Sequence, residues 1–142
     1  MTAGEKEREI LEMMDLCKSR ISDALEKSSG LKEYQELCKL TAKKFETPEK
    51  EILTWGLGIA GEAGDVASCI KKTFAHDNDQ RLGIRENIGD TLWYAAMICN
   101  FFNWDMQEIL NENTEKLQKR FPNGFTIDNA RRDGAMIDWN EQ

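Results

Sequence analysis

The chain has 142 residues, of which 40% are hydrophobic and 32% are charged, and its formal net charge is -7. This length suffices for one domain with a real core, and the composition, with only two prolines, favours a helix-rich protein over a β-sandwich or a disordered chain. The negative charge argues against binding to nucleic acid or to anionic membranes, and no stretch approaches the roughly 20 apolar residues of a membrane span.

The N-terminal segment is predicted to form an amphipathic helix over about Glu5 to Lys27, followed by a stop at Ser28-Ser29-Gly30. Charges fill Met1 to Glu9, which lacks the apolar core of a signal peptide, so a cytoplasmic location is predicted. Apolar residues recur at three-and-four spacing, which is the helical pattern. They are Ile10, Met13, Met14, Cys17, Ile21, Ala24 and Leu25.

Two more helices are predicted over residues 31–44 and 48–74. The inner side of the first carries Leu31, Tyr34, Leu37, Cys38 and Thr41. The next one starts at Thr47, a capping hydroxyl, and Pro48, which is tolerated at the first helical position. Four glycines inside it each cost up to about 1 kcal/mol, so either a backbone or ligand approaches closely or plain helix packing explains them. These glycines are Gly56, Gly58, Gly61 and Gly64.

A polar loop over residues 75–81 precedes helices predicted over 82–102 and 106–120. Residues 125–142 are predicted to be irregular with at most a helical turn, and Ile137 and Trp139 are candidates to dock on the core. The first of these helices is apolar nearly all round after Asp90, as expected of a central, well-buried element. His76 is the only histidine, which argues against a zinc hydrolase or a Glu-x-x-His di-iron site. The four cysteines lack CxxC spacing and are predicted to be small core residues.

Two pairs of polar residues stand out within the apolar stripes: Glu62 with Asp65, and Asn87 with Asp90. Residues three apart lie within about 60° of each other on a helix, so each pair points in one direction. Acids on a face expected to be buried must be neutralised, paired or bound to a cation. The pattern therefore suggests a divalent-metal site, with buried salt bridges or helix-end carboxylates as the alternative.

Several stretches, read in order over about residues 31–125, resemble the MazG-like all-α nucleoside triphosphate pyrophosphohydrolases. They are Tyr34-Gln35 with Thr41, residues 57–66 (LGIAGEAGDV), Ile70-Lys71-Lys72, residues 86–94 (ENIGDTLWY) and residues 113–125 (NTEKLQKRFPNGF). Each piece is weak alone, whereas their order and spacing together are specific. The segments outside this match are the predicted N-terminal helical extension, 1–29, and the tail, 126–142.

The resemblance implies one domain with a four-helix bundle core, to which this chain adds an N-terminal amphipathic helix. It also implies a homodimer or homotetramer that uses Mg²⁺, with Mn²⁺ as a substitute. Its motif, ExxE followed by ExxD, falls on Glu62, Asp65, Asn87 and Asp90, and the second and third of these positions depart from it. Glu86 lies four residues before Asp90, on the same side of the helix, and is predicted to supply the charge that Asn87 lacks. Glu62 and Glu86 are the predicted catalytic acids.

The resemblance further implies a substrate-binding set. Lys116 and Arg120 are predicted to hold the β and γ phosphates, with Asn113 nearby and Lys72 as a weaker candidate, although a solvated charged stripe would look the same. Tyr94 and Trp55 are predicted to border the base or sugar.

The implied reaction converts a (d)NTP into a (d)NMP and pyrophosphate, for house-cleaning or control of the nucleotide pool. One alternative is a helical scaffold that has lost catalysis, which the neutral Asn87 at a motif position would indicate. The other is a sensor that binds nucleotide without turnover. The preferred base and sugar do not follow from the sequence, because a pocket between helices accepts many shapes.

Overall fold

The computed structural model describes residues 2–26 and 30–131, which form helices joined by loops. The helices of this part are α1 (Ala3–Glu26), α2 (Leu31–Leu40), α3 (Pro48–Ala75), α4 (Arg81–Phe102), α5 (Met106–Arg120) and α6 (Ile127–Ala130). The only β-type pairing in the described residues is an isolated bridge between Pro122 and Gly124, so the all-α prediction is confirmed. No described helix is long and apolar enough to cross a membrane.

The ends of α3 and α4 follow from local chemistry. The Thr47 hydroxyl accepts a hydrogen bond from the Lys50 backbone N–H (3.3 Å), and Pro48 occupies the first turn of α3, as predicted. At the end of α4, Asn103 adopts the left-handed conformation (φ 57°), which asparagine tolerates better than most residues.

The second helix ends at Leu40, so the prediction that it continues to residue 44 is wrong. Contacts distant in sequence override its local helical preference. The Trp93 indole N–H donates to the Thr41 hydroxyl oxygen (3.0 Å), and the Phe45 ring meets the Trp55 ring edge-on, with centroids 5.1 Å apart. The extended segment after α2 therefore brings Phe45 against the core.

The core lies where α4 packs against α3 and α2. Its buried residues are Cys38, Trp55, Ala96, Met97, Cys99 and Met106. The expectation that α4 is well buried after Asp90 holds in part, because Ala96, Met97 and Cys99 are buried whereas Leu92 and Phe102 are 48% and 45% exposed. Of the cysteines predicted to be core residues, Cys38 and Cys99 are buried, whereas Cys17 and Cys69 are half-buried.

Gln35 is a buried polar residue that joins α2 to the end of α4. Its amide N–H groups donate to the Trp104 carbonyl (2.9 Å) and to Asn100 Oδ1 (3.2 Å), and its amide oxygen accepts from the Met106 backbone N–H (2.8 Å). Because every polar atom of the Gln35 side chain is hydrogen-bonded, burial carries little penalty and orients the helices.

The chain divides into two compact units, Met1–Met106 and Gln107–Gln142, and the prediction of one domain stays a prediction. In the second unit, the Arg120 guanidinium donates to the carbonyls of Asn129 (2.9 Å) and Ala130 (2.5 Å). Thr126 caps α6, a helix within the stretch predicted to be irregular. The predictions for Ser28, Ser29, Ile137 and Trp139 lie outside the described residues.

Candidate metal and nucleotide site

Four carboxylates from two packed helices interact with one another. Glu62 and Asp65 belong to α3, and Glu86 and Asp90 to α4. The pKa of Glu62 is raised, first because partial desolvation disfavours its charged form and then because Asp90, Asp65 and Glu86 repel its negative charge. The packing of α3 on α4 thus gathers negative charge from positions that are far apart in the sequence.

No basic side chain of the described residues forms an ion pair with these four acids. The ion pairs found there are Lys18–Asp15, Lys39–Glu36, Lys50–Glu46 and Arg81–Asp79. The salt-bridge alternative therefore does not describe this site. An uncompensated group of carboxylates favours a bound cation, which would relieve the repulsion.

The prediction that these acids are buried is wrong for the single chain. Asp65, Glu86 and Asp90 are exposed and Glu62 is half-buried. No described residue covers this part of α3 and α4, where Leu57, Ile88 and Leu92 on other sides of the two helices are also 74%, 47% and 48% exposed. In the present rotamers, no three His, Cys, Asp or Glu side chains of the described residues are placed to hold one metal ion.

Asn87 is turned toward the contact between α3 and α4. Its side-chain amide donates to Cys69 Sγ (3.6 Å), and a Cβ added at Gly83 would lie 3.1 Å from the same sulfur. Asn87 is half-buried in this contact, whereas Glu86, the preceding residue, is exposed. The side chain of Glu86 is therefore exposed on α4, one turn before Asp90. Asn87, the neutral residue of the motif, instead packs against Cys69.

The aromatic residues near the site have different roles. Trp55 is only 3% exposed, and its ring is packed against Phe45, Trp93 and Tyr94. A base could contact Trp55 only after this cluster rearranged. A Cβ added at Gly58 would overlap the Tyr94 ring. At Gly58 plain helix packing is thus the confirmed explanation, because the close neighbour is a side chain of α4.

The other three glycines of α3 that the sequence singles out have open space. Cβ atoms added at Gly56, Gly61 or Gly64 would meet nothing within 4 Å in the described part of the chain. No described residue therefore packs closely enough against these three glycines to explain why they occupy helical positions that they destabilise.

Tyr34 connects α2 to the site, and no local pattern in the sequence links it to the acids. The pKa of its hydroxyl is raised to about 12, first by burial, then by Cys38 and by the negative charge of Asp90. The available signals were its place on the inner side of α2 and the part of Tyr34-Gln35 in the family resemblance, and its proximity to Asp90 required knowing that α2 packs on α4.

The predicted phosphate-binding residues fall in both units. Lys72 is exposed on α3, seven residues and hence two turns after Asp65, on the same side of the helix. Asn113 and Lys116 are exposed on α5, in the second unit, and Arg120 is half-buried there by its contacts with α6. The role of these four residues stays a prediction.

Comparison with known proteins identifies a family. The model of the MazG nucleotide pyrophosphohydrolase domain matches residues 50–125, a span that includes all four acids and α5. The Gene 37 protein of Mycobacterium phage L5 is 29% identical over 73 residues, which cover 48% of this chain and 64% of that protein. The match thus spans less than two thirds of this relative. No solved structure matches the chain.

Proposed function

The chain belongs to the MazG nucleotide pyrophosphohydrolase family, and on that premise we propose that it hydrolyses a (d)NTP between the α and β phosphates. The products are a (d)NMP and pyrophosphate, and the role is house-cleaning or control of the nucleotide pool. The observation that carries the proposal is the group of four uncompensated carboxylates on α3 and α4, inside the matched region.

The donor set fits Mg²⁺, with Mn²⁺ as a substitute, because hard divalent cations prefer carboxylate oxygens and phosphate oxygens. Glu62, Asp65, Glu86 and Asp90 would hold the ion. Their side chains are exposed or half-buried, so they are free to change rotamer when a cation arrives. When bound, Mg²⁺ would supply neutralisation of the phosphate charge and orientation of a water molecule for attack.

Within this proposal, Glu62 and Glu86 are the catalytic carboxylates, and one of them acts as the general base that accepts the proton of the attacking water. Asn87 stays among the predicted ligands only through its carbonyl oxygen, because its amide nitrogen donates to Cys69. The shared negative charge would also keep anionic substrate away until a cation is present. Metal binding is therefore expected to precede nucleotide binding.

Substrate contacts rest on the resemblance. Lys116 is the proposed cation for the β and γ phosphates, with Asn113 and Lys72 in supporting roles. Arg120 is proposed for the same phosphates, although two backbone carbonyls already accept its hydrogen bonds. Tyr94, half-buried beside Gly58, is the better placed aromatic for a base or sugar, since Trp55 lies in the core.

The proposal includes a four-helix bundle core, a cytoplasmic location and a homodimer or homotetramer. An assembly is supported by the exposed apolar side chains of α3 and α4, because exposed apolar surface of this kind marks interaction sites. They include Leu53 at 63%, Leu57 at 74% and Leu92 at 48% exposure.

A direct assay tests the function. The protein is incubated with a panel of NTPs and dNTPs plus Mg²⁺, and pyrophosphate and monophosphate are measured; we expect both in equal amounts for at least one nucleotide, and loss of both in Glu62→Gln. Glu49→Gln, an exposed acid in the first turn of the same helix, is the matched control and should retain activity. Release of orthophosphate, or no product across the panel, would contradict the proposal.

The same panel separates the alternatives. A sensor would be stabilised against heat by nucleotide and metal without turnover, and a scaffold would show neither effect. Asn87 is the residue that keeps these alternatives open, because it replaces an acid of the family motif.

A further inference from the structure

A groove runs between the end of α2 and the helices α3 and α4. Two adjoining cavities of about 370 Å³ and about 460 Å³ form it, and both are lined by Lys39, Glu51 and Met97. Volumes of this size fall within the range of small-molecule sites, about 300–1,000 Å³. We call it the basic groove, because Lys43 and Lys44 line it together with Lys39. None of the residues proposed for catalysis, metal or substrate lines it.

The basic groove lies apart from the four carboxylates of α3 and α4. On α2, Lys39 is about 140° around the helix from Tyr34, the residue that lies near Asp90. On α3, Glu51 precedes Glu62 by eleven residues, which is about 16 Å along the helix. A ligand in the basic groove therefore occupies a different side of α2 and a different part of α3.

Lys43 and Lys44 form one edge of the groove on a segment that is held at both ends. Thr41 accepts a hydrogen bond from α4 (3.0 Å), and the Phe45 ring packs edge-on against α3. The Lys43 ammonium lies over the Phe45 ring, 5.4 Å from its centroid. Neither lysine takes part in the ion pairs of the described residues. Two uncompensated cations at one edge favour an anionic group there, and phosphate oxygens suit lysine.

The floor of the basic groove is apolar. Met97 is 4% exposed and Phe101 is half-buried, and both line the groove beside Pro48. A methionine sulfur and an aromatic ring both make favourable contacts with a flat ring. A bare inorganic anion would leave this floor in contact with water, so the groove suits an anion that carries a ring.

Glu51 adds a hydrogen-bond acceptor to the groove. Its Oε1 accepts from the Trp55 indole N–H (3.2 Å), which holds the side chain in place. Among the described residues no hydrogen bond reaches its Oε2, so this oxygen is available to an N–H donor. A second anion beside it would be repelled, whereas an amino group would be attracted. The two kinds of polar contact therefore suit a ligand with a phosphate and an amino-bearing ring.

We propose that the basic groove binds an organic phosphate whose flat ring carries an amino group, in the manner of an adenine or cytosine nucleoside monophosphate. Lys43 and Lys44 hold the phosphate, Met97 and Phe101 contact the ring, and Glu51 accepts the amino N–H. Binding needs neither a metal ion nor the carboxylates of the candidate metal and nucleotide site. Failure of the pyrophosphohydrolase assay would therefore leave this proposal intact, and the reverse also holds.

Calorimetric titration of the full chain with AMP, in the presence of EDTA, tests the site without metal. The natural protein should bind AMP, and Lys43→Gln combined with Lys44→Gln should weaken binding at least about tenfold, because two charge-assisted hydrogen bonds are lost. Lys6→Gln combined with Lys18→Gln removes the same charge from exposed positions of α1 and should bind like the natural protein. Absence of AMP binding, or equal affinity of the two double variants, would overturn the proposal.

Inosine monophosphate and inorganic phosphate test the part played by Glu51 and the floor. Inosine monophosphate carries a carbonyl in place of the amino group, so AMP should bind about fivefold more tightly. Glu51→Gln should remove this preference, because an amide both donates and accepts. If Glu51 only repels anions, Glu51→Gln would instead tighten binding of all three compounds, and the proposal would be wrong. Inorganic phosphate that binds as tightly as AMP would also overturn it, because the floor would then contribute nothing.

Discussion

Gly58 shows how the absence of one Cβ determines the contact between α3 and α4. An added methyl would overlap the Tyr94 ring, so Gly58→Ala should cost about 1–3 kcal/mol of unfolding free energy through overpacking. Gly61→Ala is the matched control on the same helix, where the methyl meets nothing within 4 Å and alanine should stabilise by up to about 1 kcal/mol. Urea denaturation measures both changes, and equal effects would show that Tyr94 moves aside freely.

At the same scale, we expect substitutions at Glu86 and Asn87 to have different effects on metal affinity. Glu86→Gln should weaken Mn²⁺ or Mg²⁺ binding by at least the roughly tenfold that loss of an outer-shell partner costs. Asn87→Ala should change metal affinity less, because the amide of Asn87 contacts Cys69. Calorimetric titration of the metal without nucleotide measures both, with Glu49→Gln as the unaffected control. The reverse order would return the ligand role to Asn87.

At the scale of helices, local signals predicted some boundaries and distant contacts decided others. Thr47 and Pro48 predicted the start of α3 because a capping hydroxyl and a proline act within one turn. The end of α2 was missed because it depends on Trp93 and Trp55, which follow it by tens of residues. The burial of Gln35 could not be predicted from local sequence either. Its hydrogen-bond partners at Asn100, Trp104 and Met106 lie far from it in the sequence and meet it only after folding.

The raised pKa of Tyr34 makes the stability of the folded protein depend on pH. The folded chain keeps this phenol protonated up to a pKa of about 12, while the unfolded chain loses the proton near pH 10. Between these values the unfolded state binds fewer protons, so stability falls as pH rises. Tyr34→Phe keeps the ring and removes this pH-dependent contribution to the free energy of unfolding. The stability difference between Tyr34→Phe and the natural protein should stay constant from about pH 6 to 9 and then shift in favour of the variant above about pH 10; a constant difference throughout would contradict the raised pKa.

At the scale of the whole molecule, the sequence predicted which residues share a side of α3 and α4 but not whether that side is covered. Helical periodicity placed Glu62 and Asp65 within an apolar stripe, and the structure keeps them there. It could not predict exposure, because exposure depends on what packs against this side of α3 and α4 from outside, and no local pattern reports that. The exposed acids are therefore a property of the single chain.

If a second copy of the chain packs on α3 over Leu57, substitution of this residue should change the molar mass of the protein. Leu57→Glu, at a side chain that is 74% exposed, should reduce the molar mass by light scattering if two copies meet there, because a buried unpaired carboxylate is costly. Leu110→Glu, 41% exposed on α5, is a control of the same chemical type. Unchanged mass in Leu57→Glu, with normal folding, would show that this face does not form the assembly.

The cluster around Trp55 also makes the core of α3 and α4 optically distinct. The Trp55 ring lies 6.0 Å from Tyr94 and 5.3 Å from Trp93, in an environment that excludes water, whereas Trp104 is 52% exposed. At such short separations an excited tyrosine passes its energy to the neighbouring indoles. Because Trp93 stays next to Tyr94 on α4, separation of α3 from α4 should leave tyrosine emission weak and should instead shift the Trp55 emission to longer wavelength as water reaches its ring.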